Sequence, residues 1–195
     1  MISRLFATLF ACFVLSVPAL AQAPAANAQP TAAPAARKRV EIVRTEQAPV
    51  IDGVLDEEFW RTATVIKDVE QYQPADHVEP SEKSEFYIAY SERYFYVGAR
   101  LYDRDPSGIS ARQLIQNGTM QFDDAIEFII DSFNNGRTGY HFQINPNGIR
   151  QDGLFENPST LNRDWSGIWQ AEARMDAQGW TAEAAIPFNT LNFDP

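Results

Sequence analysis

Apolar and polar residues alternate most clearly between Gln121 and Gly153. In Ala125–Asp131, Ile126, Phe128 and Ile130 share one face and Glu127 and Asp131 the other, the period of a half-buried strand. Asn134, Asn135, Gly136 and Gly139 then break the pattern with residues suited to turns. Tyr140, Phe142 and Ile144 alternate with His141, Gln143 and Asn145 in a second strand. Asn147-Gly148 is a strong hairpin signal, so a third strand, Ile149–Phe155, is predicted to run back beside the second. The stretch is a β-meander with one apolar and one wet face.

The same reading extends outward. Val40 and Ile42 start a first strand that Pro49 closes. Asp52-Gly53 is a turn, Asp56 is a helix N-cap with Glu57 and Glu58 in the first turn, and Phe59 and Trp60 ride on a short helix. Trp60 reads as its core anchor. Lys83–Tyr90 and Tyr94–Asp103 pair across Ser91-Glu92-Arg93; in the second, Phe95, Val97, Ala99 and Leu101 oppose Tyr94, Tyr96, Arg100 and Tyr102. The tyrosine face reads as cross-strand packing ahead of a sugar-stacking platform. Asn157–Ser166 is an irregular loop. Ile168–Met175 and Gly179–Pro187 form a last hairpin, with Trp180, Ala182, Ala184 and Ile186 on one side and Thr181, Glu183 and Ala185 on the other. Short strands, one small helix and frequent turns predict an all-β fold, an antiparallel β-sandwich of immunoglobulin or jelly-roll type.

The beginning of the chain has a different character. Met1–Arg4 is basic, Leu5–Val17 is largely apolar, and Pro18–Ala21 supplies small residues, the plan of a secretory signal peptide over residues 1–21. A lipoprotein anchor at Cys12, the one cysteine, is the rival reading, with only seven residues of the run before it. Gln22–Arg39 is an Ala/Pro-rich linker ending in a charged cluster, and the folded domain spans 40–195. Export places the protein in the periplasm, outer membrane or cell surface of a Gram-negative bacterium, folded without disulfides. Loss of residues 1–21 removes Arg4 and moves the net charge from −10 to −11, which disfavours nucleic acid and anionic membranes as partners.

Reactive chemistry is scarce. No nucleophile motif, phosphate loop or metal-ligand spacing occurs, and the two histidines, His77 and His141, stand apart. His141 falls on the wet face and is expected to be hydrogen-bonded or exposed. Asp123-Asp124 and Glu127 do not make a glycosidase carboxylate pair, because adjacent residues entering a strand point to opposite sides. Asp131 and Asn134 are the residues to offer a calcium ion oxygen ligands, and an Asx-rich turn explains them equally well.

Four segments, IDGVLDEEFW, YFYVGARLYD, DDAIEFIID and GWTAEAAIPF, occur in the order and spacing of the family 9 carbohydrate-binding modules. The resemblance runs from about Val40 to Pro195. DSFNNGRTGYHFQINPNGIRQDG and GWTAEAAIPFNTLNF further resemble the amino-terminal domain of bacterial surface proteins that end in an outer-membrane β-barrel. The resemblance implies a sandwich that binds saccharide without cleaving it. The family's binding glutamate corresponds to Glu127, its arginine falls on Gln143, and its first stacking tryptophan falls near Gln121. Arg100 is expected beside them on the wet face, and Trp165 and Trp169 as a substitute stacking surface. The family's sandwich is completed by strands after the IPF segment, so the sequence is expected to be a piece of a longer protein. Two further classes stay open: a periplasmic plug-like domain of the barrel without sugar affinity, and an accessory part of a glycoside hydrolase.

Overall fold

The computed structural model of the protein describes residues 38–192. The expected signal peptide, the Cys12 anchor and nearly all of the linker lie outside them. From Arg39 onward the described residues belong to one compact unit.

Among the described residues are ten strands and one short helix: β1 (Val43–Arg44), α1 (Glu58–Thr62), β2 (Thr64–Ile66), β3 (Ser84–Tyr90), β4 (Tyr94–Tyr102), β5 (Ile126–Ile130), β6 (Gly139–Ile144), β7 (Arg150–Asn157), β8 (Thr160–Asn162), β9 (Gln170–Asp176) and β10 (Gly179–Pro187). They build the expected sandwich from a six-stranded sheet, β1-β3-β4-β10-β9 with β2 also on β3, and a four-stranded sheet, β5-β6-β7-β8. Only β1 runs parallel to its neighbour, β3. The predicted meander is β5-β6-β7, and Asn145–Gly148 turns the second strand into the third, with Gly148 at φ 73° where a side chain would strain the backbone.

The two sheets meet through the faces that the alternation assigns. Val97, Ala99, Trp180, Ala182, Ala184 and Ile186 come from one sheet, and Ile126, Tyr140, Phe142 and Ile144 from the other. The alanines of β4 and β10 leave the volume that Phe142, Trp165 and Trp169 fill, large against small as close packing requires.

Three sequence expectations change. The first strand shrinks to Val43–Arg44, because Val40 and Val43 stay exposed and only Ala89 and Tyr90 offer it a partner. The residue before α1 is Glu57, not Asp56; its backbone is extended, and its carboxylate accepts from Val50 N instead of capping the helix. Thr160–Asn162 within the expected irregular loop adds a fourth strand beside β7.

A second, smaller core lies on the other face of the six-stranded sheet. Phe59, Trp60 and Ala63 pack there on Ala89, Tyr96 and Ala185, with Ile51 and Leu55 alongside. Gly98 makes the contact possible, since a Cβ there would meet Leu55 and Trp60 at 2.9 Å. The fastener is Glu183, fully buried on β10. Its Oε2 accepts from Asp52 N (2.9 Å) and Gly53 N (2.7 Å), and its Oε1 from Trp60 Nε1 (2.6 Å). Burial pushes the Glu183 carboxyl up to about 7, against the lowering effect of these three donors.

A folded value above the unfolded 4.5 means that this contribution to stability is complete below about pH 4.5 and is lost as pH rises through about 7. Urea denaturation at several pH values should show Glu183→Gln lacking a fall of at most about 3 kcal/mol that the wild type suffers over this window. The same substitution should cost about 1–3 kcal/mol at low pH, because an amide turns a donor toward one of the three N–H groups. Parallel pH profiles for the two proteins would contradict the assignment.

Candidate polar face on the four-stranded sheet

With Ile126, Phe128, Phe142 and Ile144 turned inward, the opposite residues of β5, β6 and β7 form the outer face of the meander. Glu127 lies directly opposite Gln143, and Gln143 opposite Gln151. These three polar residues make a row across three strands. Glu127 is exposed, Gln143 half-buried, and Gln151 buried. Gln151 is pinned from above by the loop before β5, its Nε2 donating to Gly118 O at 3.0 Å. Asp123 holds that loop, accepting from Arg112 N, Gln113 N and Asn145 Nδ2. The Gln143 amide, by contrast, hydrogen-bonds no other described residue, so its donors and acceptor remain available.

His141 belongs to the same face, one step along β6, opposite Ile129 and Gly153. Of the two expectations, hydrogen-bonded or exposed, the first holds: the side chain is only 4% exposed and is bound to Glu127. The ring is covered by neighbours that include Phe155, edge-on at 5.9 Å. Its Nε2 stands 3.1 Å from Glu127 Oε1. Burial lowers the His141 pKa, helped by the Arg163 charge and opposed by the carboxylate of Glu127. The ring is therefore neutral at pH 7, carries its proton on Nε2 and donates to Glu127, which fixes that carboxylate. Nδ1 is left buried without a partner among the described residues.

The other sequence-predicted residues lie elsewhere. Gln121 is exposed in the turn that leads into β5. Arg100 is on the outer face of the other sheet, forked onto Asp176 at 2.6 and 3.0 Å. Beside it, the Tyr102 ring lies 5.0 Å from both Arg100 and Lys83, and Glu85 binds Lys67, Lys83 and Tyr87. Lys83 first, then Lys67 and Tyr87, pull the Glu85 carboxyl down to about 2 against its burial. Those charges satisfy one another. Tyr94 and Tyr96 are stacked against each other at 5.9 Å, and Tyr96 meets Phe59, so the tyrosine face is packing.

Trp165 and Trp169 are not a stacking surface either. Trp165 packs on Tyr140 at 5.0 Å, and Trp169 is buried with its Nε1 on Asp152 Oδ2 at 2.8 Å. Trp165 lies in the irregular loop, where no alternation assigns it a side, and Trp169 stands at the start of the expected strand Ile168–Met175; the clue is Asp152, a polar residue in the inward phase of β7 that needs a buried donor. Asp131 accepts from Asn135 N (3.2 Å) and Gly136 N (2.7 Å), and Asn134 has φ 48°, an arrangement that closes the β5–β6 turn. Among the described residues no three His, Cys, Asp or Glu side chains converge on a metal position. Gln151 was missed because a two-residue Asn147-Gly148 turn would pair Gln143 with Asp152; the observed turn closes Asn145 onto Ile149, shifts the register by one residue and brings Gln151 opposite Gln143.

An antiparallel sandwich with one polar sheet face defines the class, and comparison with known proteins defines the family. A family model described as "Carbohydrate family 9 binding domain-like" matches residues 51–195, and the chain belongs to that family. Two solved structures of a family 9 carbohydrate-binding module from Caldicellulosiruptor kristjanssonii are similar at 20% identity. One, in complex with glucose, has a TM-score of 0.54 and covers 81% of this chain and 71% of its own. The other, with cellotriose, has a TM-score of 0.50 and covers 74% of this chain, which in turn spans 65% of that protein's length. A structure from Bacteroides uniformis ATCC 8492, described as a carbohydrate-binding candidate, has a TM-score of 0.59 at 13% identity and covers 76% of this chain and 72% of its own. At these identities the likeness is one of fold. No curated protein matches the chain.

The His141–Glu127 pair yields a direct test. In a pH titration followed by NMR, His141 should titrate below 6.5, and lower still in Glu127→Gln, where the carboxylate that raises it is gone. A His141 that titrates above 6.5, or that is indifferent to Glu127→Gln, would contradict the pairing.

Proposed function

We propose that the outer face of β5-β6-β7 binds a saccharide, with the Glu127 carboxylate and the Gln143 amide as its polar contacts, and that it does so without catalysis. The observation that carries this reading is the direct opposition of Glu127 and Gln143, one fixed by His141 and the other unengaged. A carboxylate accepts two hydroxyl hydrogen bonds and an amide both donates and accepts, which suits the vicinal hydroxyls of a pyranose. Family membership supports the assignment, as do the relatives crystallised with glucose and cellotriose. Catalysis is left out because Glu127 has no second carboxylate opposite it on this face, where glycoside hydrolysis uses two.

The proposal includes export, directed by residues 1–21, to the periplasm or cell surface of a Gram-negative bacterium, as the amino-terminal domain of a longer protein with an outer-membrane barrel. A second reading, a plug-like interaction domain of that barrel, is favoured by one observation. Trp165 and Trp169 are engaged in the core, and Leu114, Ile115 and Phe122, each at least 70% exposed, leave an apolar loop for a partner.

Calorimetric titration with glucose and cello-oligosaccharides separates the two readings. Glu127→Ala should weaken binding at least tenfold, about 1.4 kcal/mol. Arg100→Gln, on the other sheet, should lower stability and leave affinity unchanged. A folded domain that binds no saccharide would overturn the first reading in favour of the second.

A further inference from the structure

The polar row does not fill the outer face of the meander. One step further along β5 the outward position is Ile129, a large β-branched side chain left 53% exposed where alternation calls for a polar residue. It borders a hollow of about 210 Å³ at the end of the sheet, walled by Ile129, Phe155 and Pro158 with Gly139 as the floor and Asp131 and Arg137 at its outer edge. Gly139 is opposite Phe155, and a Cβ on Gly139 would meet Ile129 Cγ2 at 2.8 Å, so the hollow exists because this position lacks a side chain. The Phe155 wall is held edge-on by His141, which also fixes Glu127, so hollow and polar row share one support.

At the rim stands Thr138. Its Oγ1 accepts from Asn135 Nδ2 at 3.0 Å, and its own hydroxyl proton has no acceptor among the described residues. A mostly apolar recess with polar groups at its lip, the Thr138 hydroxyl and the Arg137 side chain among them, beside a hydrogen-bonding pair, is the usual composition of a small-molecule subsite. Ile129, the near wall, is two residues and roughly 7 Å from Glu127 along β5, and the Phe155 ring leans back from the Gly139 level to meet His141. A pyranose held by its hydroxyls at Glu127 and Gln143 therefore reaches the hollow with a ring substituent.

We infer that the hollow is an acetamido subsite and that the ligand of this face is an N-acetylhexosamine unit. The acetyl methyl lies against Ile129 and Phe155, and the acetamido carbonyl accepts from the Thr138 hydroxyl. This inference rests on the saccharide-binding reading given above. An unmodified hexose offers the hollow only hydroxyls, and a 6-deoxyhexose offers a methyl without a carbonyl for Thr138.

Calorimetry on the full chain with N-acetylglucosamine, glucose and fucose as probes tests it, together with saturation-transfer NMR on the first. The wild type should bind N-acetylglucosamine at least tenfold more tightly than either other sugar, with the strongest saturation transfer at the acetyl methyl. Ile129→Ser and Thr138→Val should each bring the ratio of N-acetylglucosamine to glucose affinity toward one. Equal affinities in the wild type, or a ratio indifferent to both substitutions, would overturn the acetamido subsite alone. No binding of any of the three sugars would overturn it together with the reading on which it rests.

Discussion

Among the described residues Glu183 has no cation beside it, yet its carboxylate is fully buried in the middle of the six-stranded sheet. What makes that burial tolerable is three N–H donors from Asp52, Gly53 and Trp60, all delivered by one segment of chain. If the segment leaves, a charge is stranded on an apolar strand; if the carboxylate is lost, three donors are orphaned. The arrangement thus binds Ile51–Ala63 to the sheet from both directions. Gly53, at φ 84°, approaches so closely that a Cβ would meet the backbone of Ala173 at 2.9 Å, which shields part of the β9 edge.

This fastening decides which surfaces remain for function. Phe59, Trp60 and Leu55 cover one part of the outer face of the six-stranded sheet, and the remainder is occupied by the mutually satisfied charges of Glu85, Lys67, Lys83, Arg100 and Asp176. The outer face of the four-stranded sheet is covered at Gln151 by the loop before β5, but around Glu127 and Gln143 it carries no such closed network. There Glu127 is fixed by a neutral histidine, Gln143 is free, and the glycines of β6 and β7 lower the surface beside them. The tryptophans that are obvious stacking candidates go instead into the space left by Ala99, Ala182 and Ala184.

Period-two alternation made the meander, the two long hairpins and the two-sided character of β4 and β10 legible, because burial of one face leaves little freedom of register. The resemblance pointed to Glu127 and Gln143, and the structure places the two opposite each other. What escaped was the fate of polar and aromatic residues whose partners are distant in sequence. Arg100 meets Asp176, Glu183 meets the backbone of Asp52, and Asp152 meets Trp169 17 positions away, pairs that no local pattern links. His141 sits in the wet phase of β6, but Phe155 two strand positions past its partner Gly153 closes over it. β8 was hidden because three residues are too few for alternation to register.

On this reading, ligand recognition belongs to the outer face of the four-stranded sheet. A crystal structure of the protein grown with an excess of saccharide tests it most directly. Sugar density in hydrogen-bonding contact with Glu127 and Gln143 is the predicted result. Density confined to the Tyr87–Arg100 face of the other sheet, with the Glu127–Gln143 row bare, would contradict it.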